Sequence, residues 1–464
     1  MNKIKLFVLL LTINFSLFTA SAQQLWGSAK AGGATGNGTM FASDSTGNNF
    51  HLVYSFVNAT GQTPIGTLVK CGNGDLYGCT QLGGYGDSCT CYKYDCHTGI
   101  FYDIHDFAAD PIHGETSYGG MMLASDGKLY GTTYSGGTYN KGVVFSIDPN
   151  NNDLYTDIHD FNDTLGSLAS GVIMQANDGK LYGFTGSGGL NGVGVIFSIN
   201  ISNNSYSVLY DFSTATGASP YFGRMIQATN NKLYGLTQGG GANGQGVIFS
   251  FDITNNTYAD IQDFDATHGS VPYGSVIQAT DGKLYGLTST GGYTNQGIIF
   301  SYDIGTSNLV DLYDFNSTSG YGPQKSLMEA STGKLFGTTL FGGADGWGSI
   351  FNYDITTSTF TKIIDMDSVI GEGPDCDLLE ASITSGIPSE NGNVIFGIYP
   401  NPASDMINIQ DSKSEVLEFT DVLGNTIAKI KTNSIKTTID ISTFPNIFFV
   451  KTQSGDVRKL LRSK

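Results

Sequence analysis

The chain repeats itself. Seven times a Leu-aromatic-Gly tripeptide is followed, seven residues after its Leu, by a Gly-Gly pair. The tripeptides begin at Leu25, Leu76, Leu129, Leu181, Leu233, Leu284 and Leu335, a spacing of 51 to 53 residues. Such a period demands one supersecondary unit that packs on copies of itself, around a ring or along a stack. It constrains architecture strongly and chemistry weakly.

The unit is read from its best copy. Ser275–Ala279 is a short apolar run, and Asp281-Gly282 supplies a tight hairpin turn. A second strand over Lys283–Thr288 carries Leu-Tyr-Gly, and the glycine pair follows in a loop over Ser289–Gln296. Gly297–Asp303 and Leu309–Phe315 complete four antiparallel strands, the content of one propeller blade. No helical apolar period is present. The first copy lacks an inner strand before Leu25, whereas the last leaves a surplus one, Leu378–Ser382, after Pro374. A ring resolves the mismatch, because the surplus strand completes the first blade and pairs its open edge. A linear stack would need capping repeats instead. The expected fold is all-β: a seven-bladed β-propeller of four-stranded blades with one-plus-three closure over residues 23–384.

Recurrent positions have structural readings. The Gly of each Leu-aromatic-Gly is expected where a neighbouring blade approaches closely. The Phe sixteen residues after Leu (Phe197 and its equivalents) is expected between blades. The Asp nineteen residues after Leu, as in Asp303, stands at a turn and is expected to bond turn amides rather than a metal. No metal or cofactor is expected.

Lys3 and Lys5 precede the apolar run Leu6–Leu17, and Ala20-Ser21-Ala22 offers a cleavage site, so residues 1–22 read as a secretory signal peptide. No later segment is apolar enough for a membrane-spanning helix. A polar linker, residues 385–393, leads to a tail, residues 394–464, with net charge +2. The propeller and linker hold 12 basic and 34 acidic residues, net −22, which argues against nucleic acid and anionic lipid as partners.

The tail's short alternating strands (Met406–Ile409, Val416–Thr420, Thr437–Ile441, Ile447–Lys451) read as a small Ig-like β-sandwich. It also resembles the C-terminal sorting domain of the type IX secretion system of Bacteroidota. The resemblance rests on Tyr399-Pro-Asn-Pro402, Asp421-Val-Leu-Gly424, Ile439-Asp-Ile-Ser442, Phe448-Phe-Val-Lys451 and the basic end Lys459-Leu-Leu-Arg462. Asn446-Ile447 stands where that family usually has Gly-Ile. The resemblance implies dealings with the type IX machinery and a secreted or outer-surface location. The repeats resemble the tandem "GloVer" repeats of bacterial surface proteins, which implies place and architecture but no activity.

In a four-stranded meander the Gly-Gly loops and the interblade loops emerge on one face. Their variable residues Tyr85, Tyr139, Asn191, Asn243, Tyr293 and Trp347 combine aromatic faces with amides, which suits sugar rings; the plainer reading is solvated turns. The position before the inner-strand Ala runs Lys70, Leu123, Gln175, Gln227, Gln278, Glu329, Glu380 and is placed at a channel mouth. The six histidines are scattered, with no His-x-x-His spacing and no nucleophile elbow, so no catalytic residue is assigned. Asymmetry among the copies is read as mostly cysteine: Cys71, Cys79, Cys89, Cys91 and Cys96 fall in one blade, with Cys376 on the closing segment. An even count in an exported chain favours disulfides, with the pairing open. Zinc is the lesser reading, since no Cys-x-x-Cys pair is present. The expected function is a surface or secreted module binding glycan or extracellular polymer; a protein-binding scaffold and a polysaccharide-acting enzyme are the alternatives.

Overall fold

A computed structural model describes residues 23–84, 88–96, 98–107 and 113–382, and in the tail 397–399, 406–410, 416–421, 425–431, 436–445, 447–451 and 457–461. The expected signal peptide, the linker and Tyr85 lie outside the described residues. The fold is all-β, with one 3-10 turn at Asn58–Thr60 and no α-helix among the described residues.

Seven four-stranded antiparallel sheets follow one another from Gln23 to Ser382, a propeller-like arrangement. Six are consecutive meanders; the sixth runs Ile277–Gln278, Leu284–Thr288, Ile298–Asp303, Asn308–Asp314. The first is assembled from both ends of the region. Leu379–Ser382 pairs antiparallel with Gln23–Ala29, with Gln23 opposite Ser382 and Trp26 opposite Leu379. That strand is ordered by Asp377, whose carboxylate accepts from the Thr67 hydroxyl at 2.9 Å and the Ser326 amide at 2.7 Å, joining three sheets.

The hydrophobic core lies between consecutive sheets. Phe249 of the fifth sheet meets Phe212 of the fourth edge-on at 5.5 Å, and Phe197, Phe300 and Phe351 repeat that contact with Phe161, Phe264 and Phe315. The glycine of Leu-aromatic-Gly has another cause than the expected one. It is covered from within its own sheet: Gly183 pairs directly with Phe197, and a Cβ there would stand 2.5 Å from that ring. The close approach between neighbouring sheets falls instead on a glycine at the head of the inner strand in five of the seven sheets. A Cβ on Gly66 would lie 2.7 Å from the Gly119 carbonyl oxygen, and one on Gly119 would lie 2.9 Å from that of Gly171. Gly171 on Gly223 and Gly223 on Gly274 continue the series. Five of the inner strands are only two residues long, shorter than the five residues read from the sequence, whereas Gln62–Lys70 spans nine and Leu379–Ser382 four. The recurrent Asp residues do cap turns, as Asp303 Oδ1 does by accepting the Gly305 amide at 2.8 Å.

The tail forms a three-stranded and a four-stranded antiparallel sheet. Leu417, Phe419 and Val450 of one share an apolar cluster with Ile439 of the other, which brings the two sheets face to face.

Candidate functional site

Each Gly-Gly loop is bonded to the loop entering its own sheet. Ser167 and Ser187 exchange backbone hydrogen bonds at 2.8 and 3.1 Å, as do Ser270 and Thr290 at 2.8 and 3.2 Å. Both loop types therefore line one rim.

A carboxylate that sequence reading left without a role fixes these loops. The Asp closing the fourth strand accepts the amide after the glycine pair: Thr138 to Asp160 and Leu190 to Asp211 at 2.7 Å, Tyr293 to Asp314 at 2.5 Å, Ala344 to Asp365 at 3.0 Å. The second glycine makes room for it, since a Cβ on Gly343 would stand 2.5 Å from Asp365 Oδ1. The signal was the repeated Asp itself, about twenty residues from the loop it holds.

On this scaffold the sequence-predicted rim residues divide. Tyr139, Tyr293 and Trp347 are exposed, Tyr293 at 94 %. Asn191 and Asn243 instead use their side-chain N–H groups to tie the loop down, donating to the carbonyls of Phe212 and Phe264 at 2.8 and 3.0 Å. Leu190, 86 % exposed, also stands on this rim and was not singled out.

The inner strands enclose two cavities. The larger, about 550 Å³, is lined by Lys70, Leu123, Gln278, Glu329 and Glu380 of the sequence-predicted channel position, and by Arg224 and Asp377. Most residues at that position also bridge sheets. Gln175, Gln227 and Gln278 accept the amides of Ser125, Asn177 and Thr229, each at 2.8 Å. Glu329 and Glu380 accept from Thr280 and Ser331, and the Lys70 ammonium donates to the Ser382 carbonyl. Leu123 has no polar side chain to continue the series.

The smaller cavity, about 160 Å³, is lined by Gln81, Tyr118, Phe222, Gln324, Lys325 and Asp375, and also by Ile65. Gln81 ends a second strand at its Gly-Gly loop, which puts this cavity on the rim side. Here the repeat is broken in two places. Lys325 occupies the place held by the inner-strand glycines Gly66, Gly119, Gly171, Gly223 and Gly274. Its buried ammonium lies 3.1 Å from Asp375 Oδ1 and 5.8 Å from the centre of the Phe222 ring. Phe222 arrives there through an insertion. Gly166 and Gly269, in the entering loops, lie five residues before Gly171 and Gly274, but Gly217 lies six before Gly223. Phe222 takes a left-handed φ of +60, uncommon for a bulky residue. The expectation that asymmetry is mostly cysteine is therefore corrected: charge and aromatic bulk break the symmetry at the channel.

The six cysteines are free thiols in this structure, all buried. Burial pushes the Cys71, Cys96 and Cys376 thiols up to about 12, and those of Cys89 and Cys91 well up, so they are not activated nucleophiles. Cys79 and Cys91 sit directly opposite on neighbouring strands with sulfurs 2.9 Å apart.

The chain is 16% identical to a protein of Bacteroides fragilis provisionally named a 6-phosphogluconolactonase, over 78% of this chain and 99% of that one, with a TM-score of 0.54. A protein of the same provisional name from Bacteroides uniformis gives 14% identity over 78% and 100%, with a TM-score of 0.52. These likenesses concern the fold alone. PorZ, a surface component of the type-IX secretion system of Porphyromonas gingivalis, is 12% identical over 92% of this chain and 63% of its own, with a TM-score of 0.45. No curated protein matches the chain. The secretion system C-terminal sorting domain matches residues 397–461 and indicates export to the cell surface or the medium. The Gloeobacter/Verrucomicrobia repeat matches residues 12–168, 111–279 and 261–401, and the chain belongs to that family.

Proposed function

We propose that residues 23–384 form a seven-bladed propeller with one-plus-three closure, that residues 394–464 form an Ig-like sandwich, and that the exported ring binds glycan or extracellular polymer. The observation that carries the binding reading is the rim. Tyr139, Tyr293 and Trp347 are exposed aromatic rings on loops held by buried glycines and carboxylate clamps. Rigid aromatic faces bind with little loss of side-chain freedom. Their planes match the C–H face of a sugar while neighbouring backbone groups meet its hydroxyls. A scaffold that contacts another surface protein through the same rim is the nearest alternative. The reading is tested by a glycan array with the full chain beside its Tyr293→Ala/Trp347→Ala variant. Retained signal in the wild type and loss in the variant is expected; a blank array with the wild type rejects it.

The polysaccharide-acting enzyme keeps one specific support, the Lys325–Asp375 pair over the channel. Turnover of the bound polymers, abolished in Asp375→Asn, would establish it.

The disulfide proposal narrows to a first pair, Cys79 with Cys91. Each thiol loses a proton and the two electrons pass to a disulfide-donating oxidoreductase of the export compartment.

A further inference from the structure

We propose that the small rim-side cavity is a subsite for one terminal, uncharged sugar residue, with Phe222 as its apolar wall and the Lys325–Asp375 pair as its polar end. The inference rests on the glycan-binding reading and specifies where and how the sugar end is taken.

Two departures from the repeat converge on this cavity, and a carboxylate from a position that varies between copies meets them there. Lys325 replaces an inner-strand glycine of the seventh sheet, an inserted residue delivers Phe222 ahead of the fifth, and Asp375 stands ahead of the closing strand. Lys325 and Asp375 side chains are only 7 % and 17 % exposed, so the pair is largely desolvated. Asp375 Oδ1 is buried and, although 3.1 Å from the ammonium, makes no hydrogen bond of regular geometry. A buried carboxylate oxygen without an aligned donor is costly. A hydroxyl entering the cavity would satisfy it, while a neighbouring hydroxyl accepts from Lys325 Nζ.

The pairing of charges selects the ligand class. An anionic ligand would have to displace Asp375 from Lys325, and a cationic one the reverse; a vicinal diol can bond to both. The ring of Phe222 is held edge-on to Tyr118 at 5.5 Å, which gives the apolar wall a fixed orientation. Gln81 and Gln324 add amides that can serve as donor or acceptor. A cavity of about 160 Å³ holds one sugar ring and not a run of them, so a chain enters by its end.

The test is calorimetric titration of the full chain with cellotriose, xylotriose, laminaritriose and chitotriose, and with the hexamer of whichever binds. Lys325→Met and Phe222→Gly should each weaken binding by about tenfold or more. Glycine at 222 relieves a left-handed backbone but gives up the ring's packing on Tyr118, so the melting temperature of each variant is measured beside its affinity, and loss of binding counts only where the variant is folded at the titration temperature. Trimer and hexamer should bind with equal affinity per chain. Wild-type binding that survives both channel variants but is lost in Tyr293→Ala/Trp347→Ala overturns this inference and leaves the rim reading standing. Failure of every oligosaccharide to bind the wild type overturns both.

Discussion

Gly292 holds a backbone φ of +75, and a side chain there would run into the Asp314 carboxylate that accepts the Tyr293 amide. Two separate penalties thus await Gly292→Ala, a strained φ and a lost hydrogen bond. It should destabilise the protein by about 1–3 kcal/mol, and Asp314→Ala by about 1–2 kcal/mol. Both act on one contact, so the double variant should cost less than the sum. Urea denaturation of the three proteins checks this. The glycine pair was legible in the sequence because it recurs in every copy. Its clamp was equally repetitive but unreadable, since the bond spans two strands and depends on register. Lys325 was harder still. Its strangeness appears only once the inner strands are aligned, and a strand of two residues offers little to align.

At the scale of the strand, the outermost element of several sheets carries two carboxylates three residues apart. A bulge skips one residue, so that Ile299 faces Tyr313 while Phe300 faces Asp311. Burial, then the charge of Asp314, raises the Asp311 carboxyl to about 6; Asp260 is raised to about 6 and Asp103 to about 7 in the same way. Unfolded, such a group titrates near 4. The native state therefore holds the extra protons between about pH 4 and 6, and its stability falls as pH rises through that window. Asp311→Asn should leave the melting temperature at pH 4 unchanged and raise it at pH 8. The gain should be about 0.5–1 kcal/mol after solvent screening. In the seventh sheet Lys362 pairs with Asp365 at 2.7 Å, and no such gain is expected from that strand. The second sheet and its turns also carry five of the six thiols. Non-reducing mass spectrometry of the exported protein should recover Cys79 joined to Cys91, and quantitative alkylation of both without reductant would remove the proposal. Here sequence gave the even count and the crowded blade, but fifteen pairings need coordinates to separate.

Across the whole molecule, ring and tail differ in kind. The tail has its own sheets and apolar cluster and matches a sorting domain, so its removal should leave the melting of the ring unchanged. Export should nevertheless stop: in a Bacteroidota host, the chain lacking residues 394–464 should fail to reach the surface or medium. Normal export of that form would reassign the tail as a binding module. Deleting residues 375–382 should have the opposite pattern. It removes the buried Leu378 and Ala381 and exposes the edge of Gln23–Ala29. Each large apolar side chain is worth about 1.5–3 kcal/mol, against a total margin of about 5–15 kcal/mol. A truncated protein that melts like wild type would refute the pairing. Architecture at this scale was the most legible of all, because period and mismatched ends are properties of the text of the chain.

The pairing of Gln23 with Ser382 also sets an order in time. A chain made from its N-terminus offers the first sheet three strands early and its inner strand last, some 350 residues later. Until then Asp377 cannot join Thr67 to Ser326, and the Gln23–Ala29 edge stays unpaired. Contacts of such long separation are formed late, since loop closure must precede them. The ring therefore locks only after the repeat region has been delivered in full. Before that moment the chain can still be threaded through a pore or held by a chaperone; after it, unthreading requires the whole circle to open.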